Sequence, residues 1–226
     1  RMKTPQPFFD VWLEVYESMK DFSAETEIPM LVCSYGFSLL ERAMLDAIAR
    51  RHDMSFAEAI RQNIYDINPG KIHDELAGFE PMEWLPDEPV TEIAVRHTIG
   101  LVDPLTKEDV SAGEPINDGL PEALEEYAEQ TSLHYLKIKL CNKLEDDLAR
   151  LTQIAEIMAR VHGADYAVTI DGNEQYNNAD ELTELYDRIQ STPALENLWK
   201  NTLLLEQPLN RAQALNPEFS DDIRKL

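Results

Sequence analysis

Short segments rich in β-forming residues alternate with amphipathic helical segments from about residue 94 onward. The pattern predicts strands at residues 95–102, 134–140, 166–170 and 203–206, and helices at residues 121–130, 144–162, 180–190 and 221–226. Gly163 is placed to end the second of these helices, and Asn178 is placed to cap the third. Such alternation is typical of βαβ units, whose strands form a parallel sheet.

A parallel sheet of this kind can be an open doubly wound sheet or a (β/α)8 barrel. An open nucleotide-binding sheet carries a glycine-rich phosphate loop after one of its strands, and the chain, with 8 glycines, has no such loop. We therefore favour the barrel. A complete barrel needs about 250 residues, whereas residues 94–226 number 133. We expect an α/β fold with about four strand–helix units of a partial barrel, and a chain that is a piece of a longer protein.

The first 93 residues carry helical patterns instead. Apolar spacing predicts a helix over residues 8–19 and a second one that starts at Ser38, where Ser38 and Glu41 form a capping box. Ser55 and Glu58 form a second capping box, at which a short helix is predicted to begin. Residues 64–93 hold four prolines and are interpreted as an extended crossover. The predicted organisation is thus a helical unit with its crossover at 1–93 and the half barrel at 94–226.

The charge balance excludes some partners. The chain has 20 basic against 43 acidic residues, a net charge of −23, so we expect neither nucleic-acid backbone nor anionic membrane as a partner. No apolar run approaches the ~20 residues of a membrane span. Cys33 and Cys141 lie far apart and form no zinc or disulfide motif, which suggests two reduced thiols in a cytoplasmic protein.

Two lysines break the apolar pattern of the second strand. In residues 136–140 the leucines and the isoleucine share one face, and Lys137 and Lys139 share the other. Strands of parallel sheets are usually apolar on both faces, so inward-facing lysines need a reason. The alternative is an edge strand with solvated lysines.

Two acids follow the next two strands. Asp171 and Glu206 stand at the carboxyl ends of the third and fourth strands, where active sites of barrels lie. Neighbouring strands are about 4.8 Å apart, so both carboxylates could ligate one Mg²⁺ ion. Asp171 could instead be a helix N-cap. On the first strand, either Arg96 or His97 could point into the same site, and the loop 103–120 would lie at its mouth.

These residues form three short motifs in order: Lys137-Ile138-Lys139, Asp171-Gly172-Asn173 and Glu206-Gln207-Pro208. In type, order and spacing they resemble the Lys-x-Lys, Asp-small-Asn and Glu-x-Pro motifs of the enolase superfamily, in its mandelate racemase and muconate-lactonizing branch. The segment 38–51 resembles the helix by which the capping domain of that family joins its barrel. The resemblance covers residues 94–215 well and 38–62 loosely.

The resemblance implies a Mg²⁺-dependent isomerase or lyase that abstracts a proton α to a carboxylate through an enediolate intermediate, as a racemase or epimerase, a cycloisomerase or an acid-sugar dehydratase. It implies Asp171 and Glu206 as metal ligands and Lys139 as the acid/base. Lys137 would lower the pKa of Lys139 and meet the substrate carboxylate, and Asn173 would contact the substrate. It also implies a small-molecule carboxylate substrate and a homo-oligomer.

The family uses a third metal carboxylate and a second acid/base, which it would place beyond Leu226. We therefore expect the 226 residues alone to be inactive and to bind Mg²⁺ weakly. The alternative function is a catalytically incomplete fragment or a non-enzymatic binding module of the same fold.

Overall fold

A computed structural model describes residues 6–86, 88–214 and 216–217 of the chain. The chain divides into two compact units, Arg1–Thr91 and Glu92–Leu226. No helix in the described part is both long enough and apolar enough to cross a lipid bilayer. Both cysteines are free.

The first unit is helical. It contains α1 (Phe8–Thr26), α2 (Met30–Arg51) and α3 (Phe56–Arg61), followed by three short 3₁₀ turns at Pro69–Lys71, Asp74–Leu76 and Pro81–Glu83. Its small core holds Ala49, Ala59 and Tyr65. The hydroxyl of Tyr65 donates to the carbonyl oxygen of Leu45 at 2.9 Å, so the ring joins the core without an unpaired polar atom. The capping box predicted at Ser55 and Glu58 is confirmed.

The predicted start of the second helix at Ser38 is wrong. The helix begins eight residues earlier, at Met30, directly after Pro29. The hydroxyl of Ser38 donates to the carbonyl oxygen of Tyr35 at 2.7 Å, inside the helix. A serine that bonds back to the preceding turn can lie in a helix interior, so the Ser-x-x-Glu pattern does not by itself mark a helix start.

The second unit alternates strands and helices. Its elements are β1 (Arg96–Ile99), α4 (Lys107–Ala112), α5 (Leu124–Gln130), β2 (Tyr135–Lys139), α6 (Leu144–His162), β3 (Ala167–Asp171), α7 (Ala179–Ser191), α8 (Glu196–Lys200), β4 (Thr202–Glu206) and α9 (Arg211–Ala214). The four strands form one parallel sheet in the order β1-β2-β3-β4. The α/β class and the parallel sheet are therefore confirmed, while the barrel stays a prediction.

Most predicted elements of this unit are confirmed within a few residues. Helix α6 has the predicted bounds, and the Asn178 side chain caps α7 by accepting from the backbone N–H of Glu181 at 3.0 Å. The loop 103–120 is not entirely irregular, because α4 forms within it behind a capping box of Thr106 and Asp109. The helix predicted at 221–226 lies outside the described residues.

The two faces of the sheet differ in chemistry. One face is apolar and buried beneath the helices; it includes Ile99, Leu136, Ile138, Val168 and Ile170, each at most 1% exposed. Side chains alternate along a strand, so Lys137, Lys139, Thr169 and Asp171 belong to the other face. The helices therefore cover the apolar face, and the polar residues are left to form a site on the opposite one.

Candidate functional site

Asp171 and Glu206 are paired at the carboxyl ends of β3 and β4. The pairing depends on a β-bulge. Val168 pairs with Thr202, but Thr169 pairs with Leu204, so Leu203 is an extra residue in β4. The bulge shifts the rest of β4 by one position and places Glu206 beside Asp171.

The amino group of Lys137 lies between these two carboxylates. Its Nζ is 2.7 Å from Oδ2 of Asp171 and 2.8 Å from Oε1 of Glu206. The Asp171 side chain is 3% exposed and that of Lys137 is 15% exposed. The hydrogen bond to Asp171, and then the one to Glu206, raises the pKa of Lys137 above its ordinary value of 10.5. A charged ammonium thus offsets the repulsion between two neighbouring carboxylates.

The second oxygen of each carboxylate has a different partner. Oδ1 of Asp171 accepts from the backbone N–H of Asn173 at 2.8 Å. Oε2 of Glu206 accepts from Arg96 at 3.4 Å, and the same nitrogen of Arg96 donates to Oγ1 of Thr169 at 2.9 Å. Of the two candidates on the first strand, Arg96 is the residue that reaches the site.

Lys139 lies next to this group without joining it. It is the register partner of Asp171 and is half-buried. Among the described residues, its Nζ forms no hydrogen bond or ion pair. Asn173 lies at the end of β3 with a φ of 48°, in the left-handed region that asparagine tolerates. Its side-chain amide donates to the carbonyl oxygen of Leu140 at 3.4 Å, which links the ends of β2 and β3.

The loops that follow β3 and β4 contact each other next to Asp171 and Glu206. The backbone N–H of Gly172 donates to the carbonyl oxygen of Glu206 at 2.9 Å. A Cβ at Gly172 would lie 2.7 Å from the Cα of Pro208, a distance that a side chain does not tolerate. Glu174 accepts from the guanidinium of Arg211, including a bond of 2.9 Å from Nε. The glycine of the Asp-Gly-Asn motif is therefore needed for the close approach of the two loops.

His97 is outside the site. It packs on the helix-covered side of β1, with its ring 4.5 Å from that of Tyr127, and burial lowers its pKa below 6.5. The ring lines a cavity of about 480 Å³ together with residues of the loop 103–120, among them Asp103, Glu114 and Asp118. The lining of this cavity does not include Lys137, Asp171 or Glu206.

Two buried residues near the site, Asp147 and Thr169, are not part of the sequence motifs. Among the described residues, the buried polar or charged ones are Asp147, Thr169 and Asp171. Asp147 accepts from the backbone N–H groups of Cys141 and Lys143, at 3.0 and 3.2 Å, and so orders the loop that follows Lys139. The run of acids at the start of α6 is a signal that could have indicated this role. For Thr169, the only such signal is that it lies two residues before Asp171 on β3 and therefore on the same face of the sheet.

The two carboxylates are of the chemical type that binds a magnesium ion. Mg²⁺ prefers hard oxygen ligands and is commonly bound by one or two carboxylates with water in the remaining positions. Oδ2 of Asp171 and Oε1 of Glu206 both lie against one cation, the ammonium of Lys137. Within the described ranges, no group of three His, Cys, Asp or Glu side chains is arranged to hold a metal ion.

Comparison with known proteins identifies no relative. No family model matches the chain, and neither the curated proteins nor the solved structures contain a match to it.

Proposed function

We propose that Asp171 and Glu206 bind Mg²⁺ and that Lys139 removes a proton α to the carboxylate of a small-molecule substrate. The observation that carries this proposal is the pairing of two carboxylates at adjacent strand ends, with one oxygen of each directed at a single cation. Oxygen ligands of this kind favour magnesium over softer metals. The order of the three motifs, which resembles that of the enolase superfamily, supports the same reaction class.

When bound, the ion would supply the positive charge that holds a substrate carboxylate and stabilises the negative charge left by proton removal. Lys139 is suited to take the proton, because it is the register partner of Asp171 and its amine is not engaged by any described residue. Lys137 would place a second positive charge near the substrate carboxylate. Asn173 would meet the substrate from the end of β3.

The finer features of the proposal follow from the resemblance. They are a (β/α)8 barrel, a homo-oligomer, and an isomerase or lyase reaction of the racemase, cycloisomerase or acid-sugar dehydratase type. The two free cysteines support a reducing compartment, so a cytoplasmic location belongs to the same proposal.

A second candidate is a non-enzymatic binding module in which the charged cluster is structural. The specific observation in its favour is that Lys137 already pairs with both carboxylates. In this case the ion pairs would hold the strand ends together, and neither Mg²⁺ nor a carboxylate substrate would be needed.

The test is a screen of carboxylic acids with the intact protein in D₂O and MgCl₂, in which NMR follows exchange of the α-proton. We expect exchange with at least one acid, and Lys139→Met should slow it by a factor of about 10²–10⁴. Lys200→Met is the matched control, because Lys200 is an exposed lysine that pairs with Glu196 in α8 and should not affect exchange. Unchanged exchange in Lys139→Met would reject Lys139 as the base.

A second measurement separates the two candidates. Calorimetric titration of MgCl₂ should show binding that Asp171→Asn and Glu206→Gln each weaken. Asp165→Asn is the control, because this aspartate precedes β3 at the opposite end of the strand and its side chain is 90% exposed. If Mg²⁺ does not bind, the structural role of the cluster is favoured.

A further inference from the structure

The oxygens that point away from Lys137 are already engaged. Oδ1 of Asp171 accepts from a backbone N–H, and Oε2 of Glu206 is the atom closest to Arg96. Oδ2 of Asp171 and Oε1 of Glu206 are the oxygens that contact Nζ of Lys137, at 2.7 and 2.8 Å. A metal ion bound by both side chains would therefore use the same two oxygens as the ammonium.

We infer that the ammonium of Lys137 and a divalent cation are alternative occupants of the Asp171–Glu206 pair. This inference rests on the proposed function, because it takes these two carboxylates as the metal ligands. A magnesium–oxygen bond is about 2.1 Å long. An ammonium within hydrogen-bonding distance of the same oxygens would lie close to a dication, where the repulsion between like charges is strong. Lys137 must leave the pair before both carboxylates bind the metal.

Burial of Asp171 strengthens the competition between Lys137 and the metal ion for the two carboxylates. Asp171 is almost completely buried, and a buried carboxylate without a partner is unfavourable. Lys137 therefore stabilises the strand ends when no metal is bound. It also weakens metal binding, because the metal must first break the contacts of Lys137 with both carboxylates. Lys139 lies on the same face but forms no ion pair with either carboxylate among the described residues.

The test compares Mg²⁺ binding by calorimetry in the intact wild-type protein and in four variants. In Lys137→Met and Lys137→Gln the competing charge is absent, and we expect affinity to rise about tenfold or more, because hydrogen bonds to charged groups are among the stronger ones. Lys137→Arg keeps a cation and should keep the weak affinity. Lys139→Met replaces a lysine on the same face that does not contact the two carboxylates, and it should change the affinity by a smaller factor.

Thermal unfolding supplies a readout that does not depend on activity. Without Mg²⁺, Lys137→Met and Lys137→Gln should unfold at a lower temperature than the wild type, because the two carboxylates lose the ammonium that they share. Added MgCl₂ should raise the unfolding temperature of these variants more than that of the wild type. Lys137→Gln keeps a hydrogen-bond donor, so it can be measured even if Lys137→Met does not fold.

The outcomes separate the inference from the proposed function. If neither the wild type nor any variant binds Mg²⁺, the assignment of Asp171 and Glu206 as ligands is overturned, and the competition with it. If Mg²⁺ binds with the same affinity to the wild type and to the neutral Lys137 variants, the competition alone is overturned and the metal site stands.

Discussion

Asp171 and Glu206 are register partners in β3 and β4. Regular pairing that continued from Val168 and Thr202 would instead place Leu205 opposite Asp171. The extra residue Leu203 makes the difference, because it shifts the later part of β4 by one position. A one-residue shift also reverses the face to which each following side chain points. The contact between Lys137 and Glu206 therefore depends on the bulge at Leu203 in β4.

The bulge leads to a prediction about a deletion. Removing Leu203 should give regular pairing from Val168–Thr202 to Asp171–Glu206, so Glu206 should stay opposite Asp171 and keep its ion pair with Lys137. A crystal structure of the variant would check this directly. Leu203→Ala keeps the residue count and should also keep the ion pair. Loss of the pair in the deletion variant alone would show that Leu203 is not the extra residue of β4.

The close approach of the loops after β3 and β4 predicts the effect of Gly172→Ala. The added Cβ would meet the backbone of Pro208 at 2.7 Å, so we expect a loss of stability of about 1–3 kcal/mol. In Gly36→Ala the Cβ meets no atom within 4 Å, and this residue lies inside α2, so stability should rise by about 0.5–1 kcal/mol. Urea unfolding measures both. Equal changes would show that the close approach does not matter.

The bonds between Arg211 and Glu174 predict a local effect. Arg211 is 62% exposed, so Arg211→Ala should leave the midpoint of global unfolding nearly unchanged. The backbone N–H groups of Glu174 and Tyr176 donate to Gln207 and Pro208 across the two loops. Hydrogen exchange at these two amides should become faster in the variant. Protection equal to that of the wild type would mean that the ion pair does not hold the loops together.

Glu181 predicts a pH dependence of stability. The backbone N–H of Asn177, and then its side chain, hold the pKa of Glu181 below its ordinary value of 4.5, and bonds from Asn142 and Asn178 act in the same direction. A lowered pKa in the folded state means that the ionised carboxylate stabilises the fold above about pH 4.5. This stabilisation is lost as the pH falls through the folded-state pKa.

In Glu181→Gln, the unfolding free energy should be lower near pH 7 by about 1–2 kcal/mol, and it should decrease less steeply below pH 4.5. Urea unfolding at several pH values measures this. Glu184→Gln, in the same helix, is the matched control and should follow the wild-type curve. The prediction fails if the two variants have the same pH dependence.

Much of the second unit could be predicted from local patterns. The bounds of α6 follow from its amphipathic spacing and from Gly163, and the cap of α7 follows from Asn178. The pattern in residues 136–140 also identified the face that holds Lys137 and Lys139. The start of α2 could not be predicted, because the signal at Ser38 is also compatible with a helix interior.

The sequence by itself therefore determined the α/β alternation, the parallel order of strands and the candidates Lys137, Lys139, Asp171 and Glu206. Each of these follows from side-chain alternation and from chemistry within a short segment. Only the tertiary structure decided that Lys137, rather than Lys139, contacts both carboxylates, and that Arg96 rather than His97 reaches Glu206. The physical reason is that strand register, a bulge and the reach of long side chains depend on pairing between segments far apart in the chain.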